Sequence, residues 1–399
     1  MLRTILFRIH WALGLTAGLV LALMGVTGAL MSYEEAVVDA LNAGPLAVEA
    51  GARTRLGPEA LVARIEAQHR GLRVSGLGIP GDPGRAVRVR FAGTGPGEHP
   101  PARYVDPYDG ADRGAVAGET TFETIRALHR WLLIPGGGRG WGRTATGLCA
   151  VALLVFLGTG LYLRWPKLHG WRVWLRLSVA RPGRPRWWSL HAVVGTWVIP
   201  VYAVMALSGL WWSYESYRAG ATYLLTGNWP EARPQRGGPG RPEGMAQPDA
   251  GRGAERGRGE RRPAALDAAW QTFTAGEGAG AALSLLTMPG ERGEPNIRIR
   301  YTRSGDGPSS RTDLTYDAGT GALLSASRPA DKTLGRQIAD NMLEVHRGRF
   351  FGPVLALVFC LAALAMPLFA GTGLTLYVLR RRAARRRRAA PPLGRPVQV

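Results

Sequence analysis

Four stretches of the chain run for about twenty residues or more without Asp, Glu, Lys or Arg: 9–33, 144–163, 187–214 and 350–379. At 1.5 Å per residue each can cross a hydrocarbon core of roughly 30 Å. One such run would also suit a buried helix of a soluble protein. Four of them predict four transmembrane helices.

The polar stretches between them carry shorter patterns. In the first, residues 56–71 (LGPEALVARIEAQHRG) have helical periodicity, with Pro58 at a helix start. Residues 87–91 (VRVRF) alternate like a strand, and 102–111 (ARYVDPYDGA) read as a strand ending in an Asp-Gly turn. In the second, 265–276 is helical, 296–302 (NIRIRYT) alternates, and 312–327 reads strand, glycine-rich turn, strand. An Asp-x-x-x-Gly turn recurs in both. Each polar stretch therefore predicts a small α+β unit. Residues 122–132 (FETIRALHRWL) and 338–348 (IADNMLEVHRG) predict amphipathic helices lying on the membrane surface. Residues 228–263 are rich in Gly, Pro and Arg and too poor in apolar residues to build a core, which predicts a disordered insertion.

The chain divides accordingly. Membrane helices occupy 1–33, 144–165, 187–214 and 350–379; outer domains occupy 34–121 and 215–337; interfacial segments occupy 122–143 and 338–349. A basic loop (166–186) and a basic tail (380–399) complete it. The expected fold class is an integral membrane α-helical bundle of four transmembrane helices in two pseudo-symmetric halves, with two small α+β outer domains. The halves share a register. HWALGLTAGLVLALMGVTGALMSYEE (10–35) and HAVVGTWVIPVYAVMALSGLWWSYES (191–216) both place His, then Gly four positions on, then Thr/Ser-Gly, then Ser-Tyr-Glu.

Charge fixes an orientation. The net charge of +21 would suit nucleic acid, but its distribution argues otherwise. Arg164, Lys167, Arg172, Arg176, Arg181, Arg184 and Arg186 crowd one short loop, and RRRAARRRR (380–388) follows the last helix. This positive-inside pattern places both termini and the middle loop in the cytoplasm and the two long loops outside. The tail is expected on anionic lipid headgroups, and no nucleic-acid partner is expected. An RGG-like tether at 228–263 would face away from the cytoplasm. Arg3 and Arg8 precede an apolar run longer than the about 7–15 residues of a signal peptide, and no clear cleavage site follows, so the first helix is expected to stay uncleaved. The two cysteines, Cys149 and Cys360, lie within apolar helices and read as small packing residues.

Of seven histidines, His69, His99 and His169 read as solvated surface residues. The other four flank the membrane: His10 and His191 on the cytoplasmic side, His129 and His346 on the outer side. The repeat relates the members of each pair, so a twofold axis along the membrane normal would face them across the bundle. Zinc would want four ligands, and no acidic or thiol partners are at hand. A proton relay would want Asp or Glu inside the helices. A b-type haem needs two axial imidazoles, a flat apolar slot and cations for its propionates. Gly14, Gly18, Gly25, Gly28, Gly195 and Gly209 offer the slot, although such glycines also serve plain helix packing. Arg8, Arg130, Arg186 and Arg347 neighbour the histidines and offer the cations. The tryptophans at the membrane ends read as an aromatic belt rather than an electron relay, and Glu34 and Glu215 read as boundary residues at matched positions. No G-x-G-x-x-G follows a strand, so neither a flavin nor a nicotinamide site is expected.

RIHWALGLTAGLVLALMGVTGAL, YVDPYDG, LHRWLL, GTGLYLRWP, SLHAVVGTW and EVHRGRFFG together resemble the PepSY-associated transmembrane-helix proteins. These are bacterial inner-membrane proteins, some of which reduce ferric siderophores. The resemblance covers nearly the whole chain except 228–263. It implies two periplasmic PepSY-like domains and two b-type haems on His10, His191, His129 and His346. It makes the chain an electron conduit from a separate cytoplasmic or membrane donor to a periplasmic ferric chelate. GGGRG (136–140) lengthens the link after His129 relative to the His346 copy. A different class, a membrane-anchored PepSY module that binds partners or inhibits proteases, needs neither four helices nor paired histidines. A transporter would want inverted repeats and intramembrane charge; here the repeat is parallel, and Pro200 and Pro367 have no ionisable companion.

Overall fold

The computed structural model describes residues 1–93, 100–165, 170–230, 265–290 and 295–389. Most of the insertion expected at 228–263, together with His99 and His169, lies outside the described residues. The chain forms two compact units. One comprises Met1–Glu34, Thr121–Ala221 and Asn341–Val399; the other comprises Glu35–Thr120 and Thr222–Asp340.

The first unit holds four helices, among the described residues, that are long and apolar enough to span a membrane: Leu2–Ser32, Trp141–Arg164, Arg184–Ser213 and Pro353–Arg388. The chain is a multi-pass membrane protein. Two of its spans are irregular. The third passes through one π turn at Leu190–Val194 before continuing as α-helix with Pro200 inside it. The fourth is broken at Ala365, between Pro353–Leu364 and Met366–Ala389. Pro200 and Pro367 have no N–H to give the carbonyl four residues back, which loosens the helix there. Gly25 packs at this break, where a side chain would collide with the Ala363 carbonyl and Met366. It is a helix-contact glycine, not part of a slot. Between the spans lies an apolar core of Leu21, Leu153, Tyr202, Phe359 and their neighbours, in which the Tyr202 hydroxyl donates to the Ala362 carbonyl at 2.7 Å.

The second unit differs from expectation. Instead of two small domains, its described residues form one eight-stranded antiparallel sheet, ordered β4-β3-β2-β1-β5-β6-β7-β8. The strands are β1 Val74–Pro80, β2 Val87–Phe91, β3 Arg103–Val105, β4 Asp112–Ala115, β5 Ala281–Thr287, β6 Ile297–Arg303, β7 Thr312–Tyr316 and β8 Leu323–Ser327. Each half is a four-stranded meander, and the halves join where β1 pairs β5 from Gly76↔Thr287 to Pro80↔Leu283. One core spans both: Leu61 and Ile65 of the helix Pro58–Gln68 and Leu266 and Phe273 of Leu266–Ala275 cover Leu77, Leu286, Ile299 and Tyr316. The two helices cap each other, the Glu59 amide on the Asp267 carboxylate and the Asp267 amide on Glu59. The recurring turn is the same structure twice. Gly110 bonds back to the Asp106 carbonyl and Gly321 to that of Asp317, both at 2.9 Å and both at positive φ (74° and 71°), where a side chain would be strained. His69 is not a free surface residue: its Nε2 lies 3.2 Å from Asp112 and its ring meets Phe91 edge-on.

Candidate functional site

The four membrane-flanking histidines all belong to the helical unit, and they meet in pairs. The His10 and His191 rings are 6.2 Å apart between centroids at 77°; the His129 and His346 rings are 6.4 Å apart at 70°. His10 sits in the first span and His191 in the π turn of the third. Such a turn shifts the helical register by one residue and recurs at functional sites. His129 lies in the last turn of the helix Glu119–Trp131, and His346 ends the short helix Met342–His346. The continuous surface helix expected at 338–348 is interrupted at Asn341.

All four rings are held in the same way. His10 Nδ1 meets the Thr159 hydroxyl at 2.8 Å, His191 meets Thr372 at 2.8 Å, His129 meets Thr27 at 3.0 Å and His346 meets Ser208 at 2.8 Å. Each hydroxyl also donates to the carbonyl four residues back in its own helix: Val155, Leu368, Leu23 and Val204. A hydroxyl has one proton to give. With that proton on the carbonyl, the oxygen accepts from Nδ1–H. In that arrangement the ring proton is on Nδ1, and Nε2 carries the lone pair.

A glycine follows each hydroxyl. A Cβ built on Gly28, Gly160, Gly209 or Gly373 would lie 3.2, 3.5, 3.4 or 3.6 Å from the Cε1 of the histidine beside it. The Ser/Thr-Gly step is thus a seat. The hydroxyl anchors one ring nitrogen, and the missing side chain lets the ring edge lie against the helix backbone. In the sequence, Thr27-Gly28 and Ser208-Gly209 stood out as part of the repeat and their glycines as slot residues, but the two hydroxyls had no role of their own. Thr159-Gly160 and Thr372-Gly373 had no role, although GTG stands in both helices.

The remaining predicted residues are dispersed. Arg8 is exposed. Arg186 gives its Nε to the Val179 carbonyl at 2.9 Å. Arg130 stacks on Trp131, and burial, with Arg126 and Arg143 nearby, holds its guanidinium below the ordinary arginine range. Arg347 lies 4.0 Å from Glu34, whose other oxygen binds Arg126 at 2.6 Å. Glu34 thereby links the segments that carry His129 and His346, a role its boundary position did not announce. Beside His346, the buried Glu344 carboxylate binds Arg349 at 2.7 Å. After His129 the chain reverses through Leu132 and Leu133, both left-handed at φ 54° and 56°, and the Thr146 hydroxyl of the second span bonds the Arg130 carbonyl. Arg164, expected only as one cation of the basic loop, donates to the Ala192 carbonyl of the π turn and to Thr196, and packs over Trp174 and Trp188.

Aromatic rings complete the surroundings. Phe156 lies 5.3 Å from His10, Phe369 5.7 Å from His191 and Trp212 5.7 Å from His346. Among the described residues, no group of three or more His, Cys, Asp or Glu could hold a metal ion. No curated protein matches the chain. The pattern that defines the PepSY-associated TM region does, over residues 7–380, and the chain belongs to that family.

Proposed function

We propose that His10 with His191, and His129 with His346, each hold one b-type haem, and that the chain carries single electrons across the bacterial inner membrane to a periplasmic ferric chelate such as a ferric siderophore. The observation that carries this reading is the spacing of two imidazole pairs, every ring of which is tied through Nδ1 and so has Nε2 as its remaining donor atom. Two imidazoles ligating one iron from opposite sides, with nitrogen–metal bonds of about 2 Å, bring their ring centres to about 6 Å. The pairs stand at 6.2 and 6.4 Å. Two-ligand sites suit a porphyrin, which supplies the other donors itself.

When bound, a haem supplies an iron centre that takes up and gives back one electron. The chain does the rest. Thr27, Thr159, Ser208 and Thr372 fix the tautomer and aim the rings. Phe156, Phe369 and Trp212 keep water away. Arg130 and Arg347 at one end, and Arg8 and Arg186 at the other, are the cations next to the histidines in the chain that would face haem carboxylates. On the first and third spans, His10 to Thr27 and His191 to Ser208 are both 17 residues, about 25 Å of helix, so the pairs lie at opposite ends of the bundle. Electron balance is simple: a separate reduced carrier, cytoplasmic or in the membrane, loses one electron and iron(III) becomes iron(II). No bond to the chain forms or breaks. The basic loop and tail support cytoplasmic termini, and the repeat of His, Thr/Ser-Gly and Asp-x-x-x-Gly turns supports two PepSY-like halves about a pseudo-twofold axis.

The test is the absorbance of the purified chain in detergent. A Soret band that sharpens and shifts on dithionite is expected, and His10→Ala and His346→Ala are each expected to remove part of it. A folded, colourless preparation from haem-replete cells would overturn the reading and leave a membrane-anchored binding or protease-inhibitor module.

A further inference from the structure

Near the outer pair, the helical unit opens into a cleft of about 570 Å³ lined by Arg139, Arg143, Thr144, Ser213, Glu215 and Ser216 among others. The cleft is broadly open, and its volume is of the order of a small-molecule site. Its walls continue into both outer histidine segments. Ser213 follows Trp212, whose ring meets His346. On the other wall, Thr146 bonds the carbonyl of Arg130, the neighbour of His129, and a side chain at Gly142 would collide with the Trp131 carbonyl.

The charges in this cleft are uncompensated. Arg143 gives one bond, to the Gly138 carbonyl at 3.2 Å, and its buried Nε has no partner. Among the described residues neither Arg139, Arg143 nor Glu215 has an ion-pair partner. Glu34, at the matched position of the first half, is closed off by Arg126 and Arg347, whereas Glu215 faces the cleft. The lining holds two guanidinium groups against one carboxylate, with the Tyr214 phenol, hydroxyls and glycines making up the rest. It has no aliphatic side chain to seat a lipid tail.

We propose that this cleft docks the electron acceptor beside the outer histidine pair, and that Arg139 and Arg143 select chelates of iron(III) with negative charge and free carboxylate oxygens. The identification of the ligand as the acceptor rests on the function proposed above; the binding site itself does not. Guanidinium groups are suited to carboxylates because they offer paired donors in a plane. Glu215 opposes such ligands, so its neutralisation strengthens their binding.

The experiment is equilibrium binding of gallium(III) citrate, which has the charge and shape of the ferric complex but no accessible reduction, to the full chain in detergent by titration calorimetry. The double variant R139Q/R143Q is expected to weaken binding by about tenfold or more, the scale of one lost charge-assisted hydrogen bond. Glu215→Gln is expected to tighten it, and to weaken binding of a cationic gallium trihydroxamate. If the arginine variant loses its fold, judged by gel filtration and circular dichroism, the opposite responses of Glu215→Gln to the two chelates still decide. Unchanged citrate binding in the folded arginine variant, no response to Glu215→Gln, or displacement of citrate by phosphatidylethanolamine at equal concentration would overturn the proposal. The readout needs no bound haem, so a colourless chain that binds gallium citrate through Arg139 and Arg143 would sink the function and keep the site.

Discussion

The two histidine pairs are seated alike and supported differently. Both inner rings belong to spans: His10 to the first and His191 to the third, with their hydroxyls on the second and fourth. At the outer end the roles exchange. Thr27 and Ser208, on the first and third spans, hold rings carried by short segments that precede the second and fourth. The inner pair is therefore fixed by helix packing. The outer pair needs ties of its own: Glu34 to Arg126 and Arg347, Glu344 to Arg349, and the left-handed reversal at Leu132 and Leu133. Two sites of one design thus depend on different physics: one mainly on packing between spans, with Arg164 tying the π turn of His191, and the other on carboxylate–guanidinium pairs.

That contrast can be broken most severely at Glu344. Its carboxylate is 2 % exposed and Arg349 is 18 % exposed, so Glu344→Ala leaves a largely buried cation without its partner. A loss of about 3–5 kcal/mol is expected. In a thermal melt followed by absorbance, the outer signal should fall first and the inner one stay; simultaneous loss would mean that the ends are not independent. Next come the hydroxyls. Thr159→Val should weaken cofactor retention at the inner pair, and Thr27→Val at the outer pair, each by about 10–100-fold. Thr→Ser should restore both, as Ser208 already serves at the fourth position; a spill-over to the other pair would contradict the separate seats.

The glycines allow a graded version. Adding a methyl group against a packed ring costs about 1–3 kcal/mol. The contact is tight at Gly28 (3.2 Å) and borderline at Gly209 (3.4 Å), so Gly28→Ala should do the most damage and Gly209→Ala less. Gly160→Ala and Gly373→Ala, at ordinary contact distances of 3.5 and 3.6 Å, should do little. Low-temperature electron paramagnetic resonance should show axial-ligand signals perturbed in that order. Glu34→Gln should have the smallest effect, up to about 1 kcal/mol, because the Arg126 side chain is 39 % exposed and water screens the pair. It should move only the outer signal.

Much of this was legible in the chain. Charge-free runs marked the spans because lipid tolerates no unpaired backbone and few charges. The matched register marked the histidines. Strands such as VRVRF and NIRIRYT were visible because one face is buried and the other wet. The joining strands were not. In VSGLGIP glycines occupy alternate positions, and Arg90 lies across Gly76 where a side chain would stand; AALSLLT is apolar without clear alternation. Without β1 and β5, two meanders read as two domains. The hydroxyl seats escaped for another reason. Thr27 is one residue among many in an apolar helix, and only the approach of His129, 102 positions away, gives it a task. The Gly25 contact and the break at Ala365 are likewise products of packing between helices.

Haem content per polypeptide, measured as pyridine haemochrome on the detergent-purified chain, tests the central claim most directly. The account predicts two, one for each imidazole pair. A value of one or fewer in protein from haem-replete cells would contradict it.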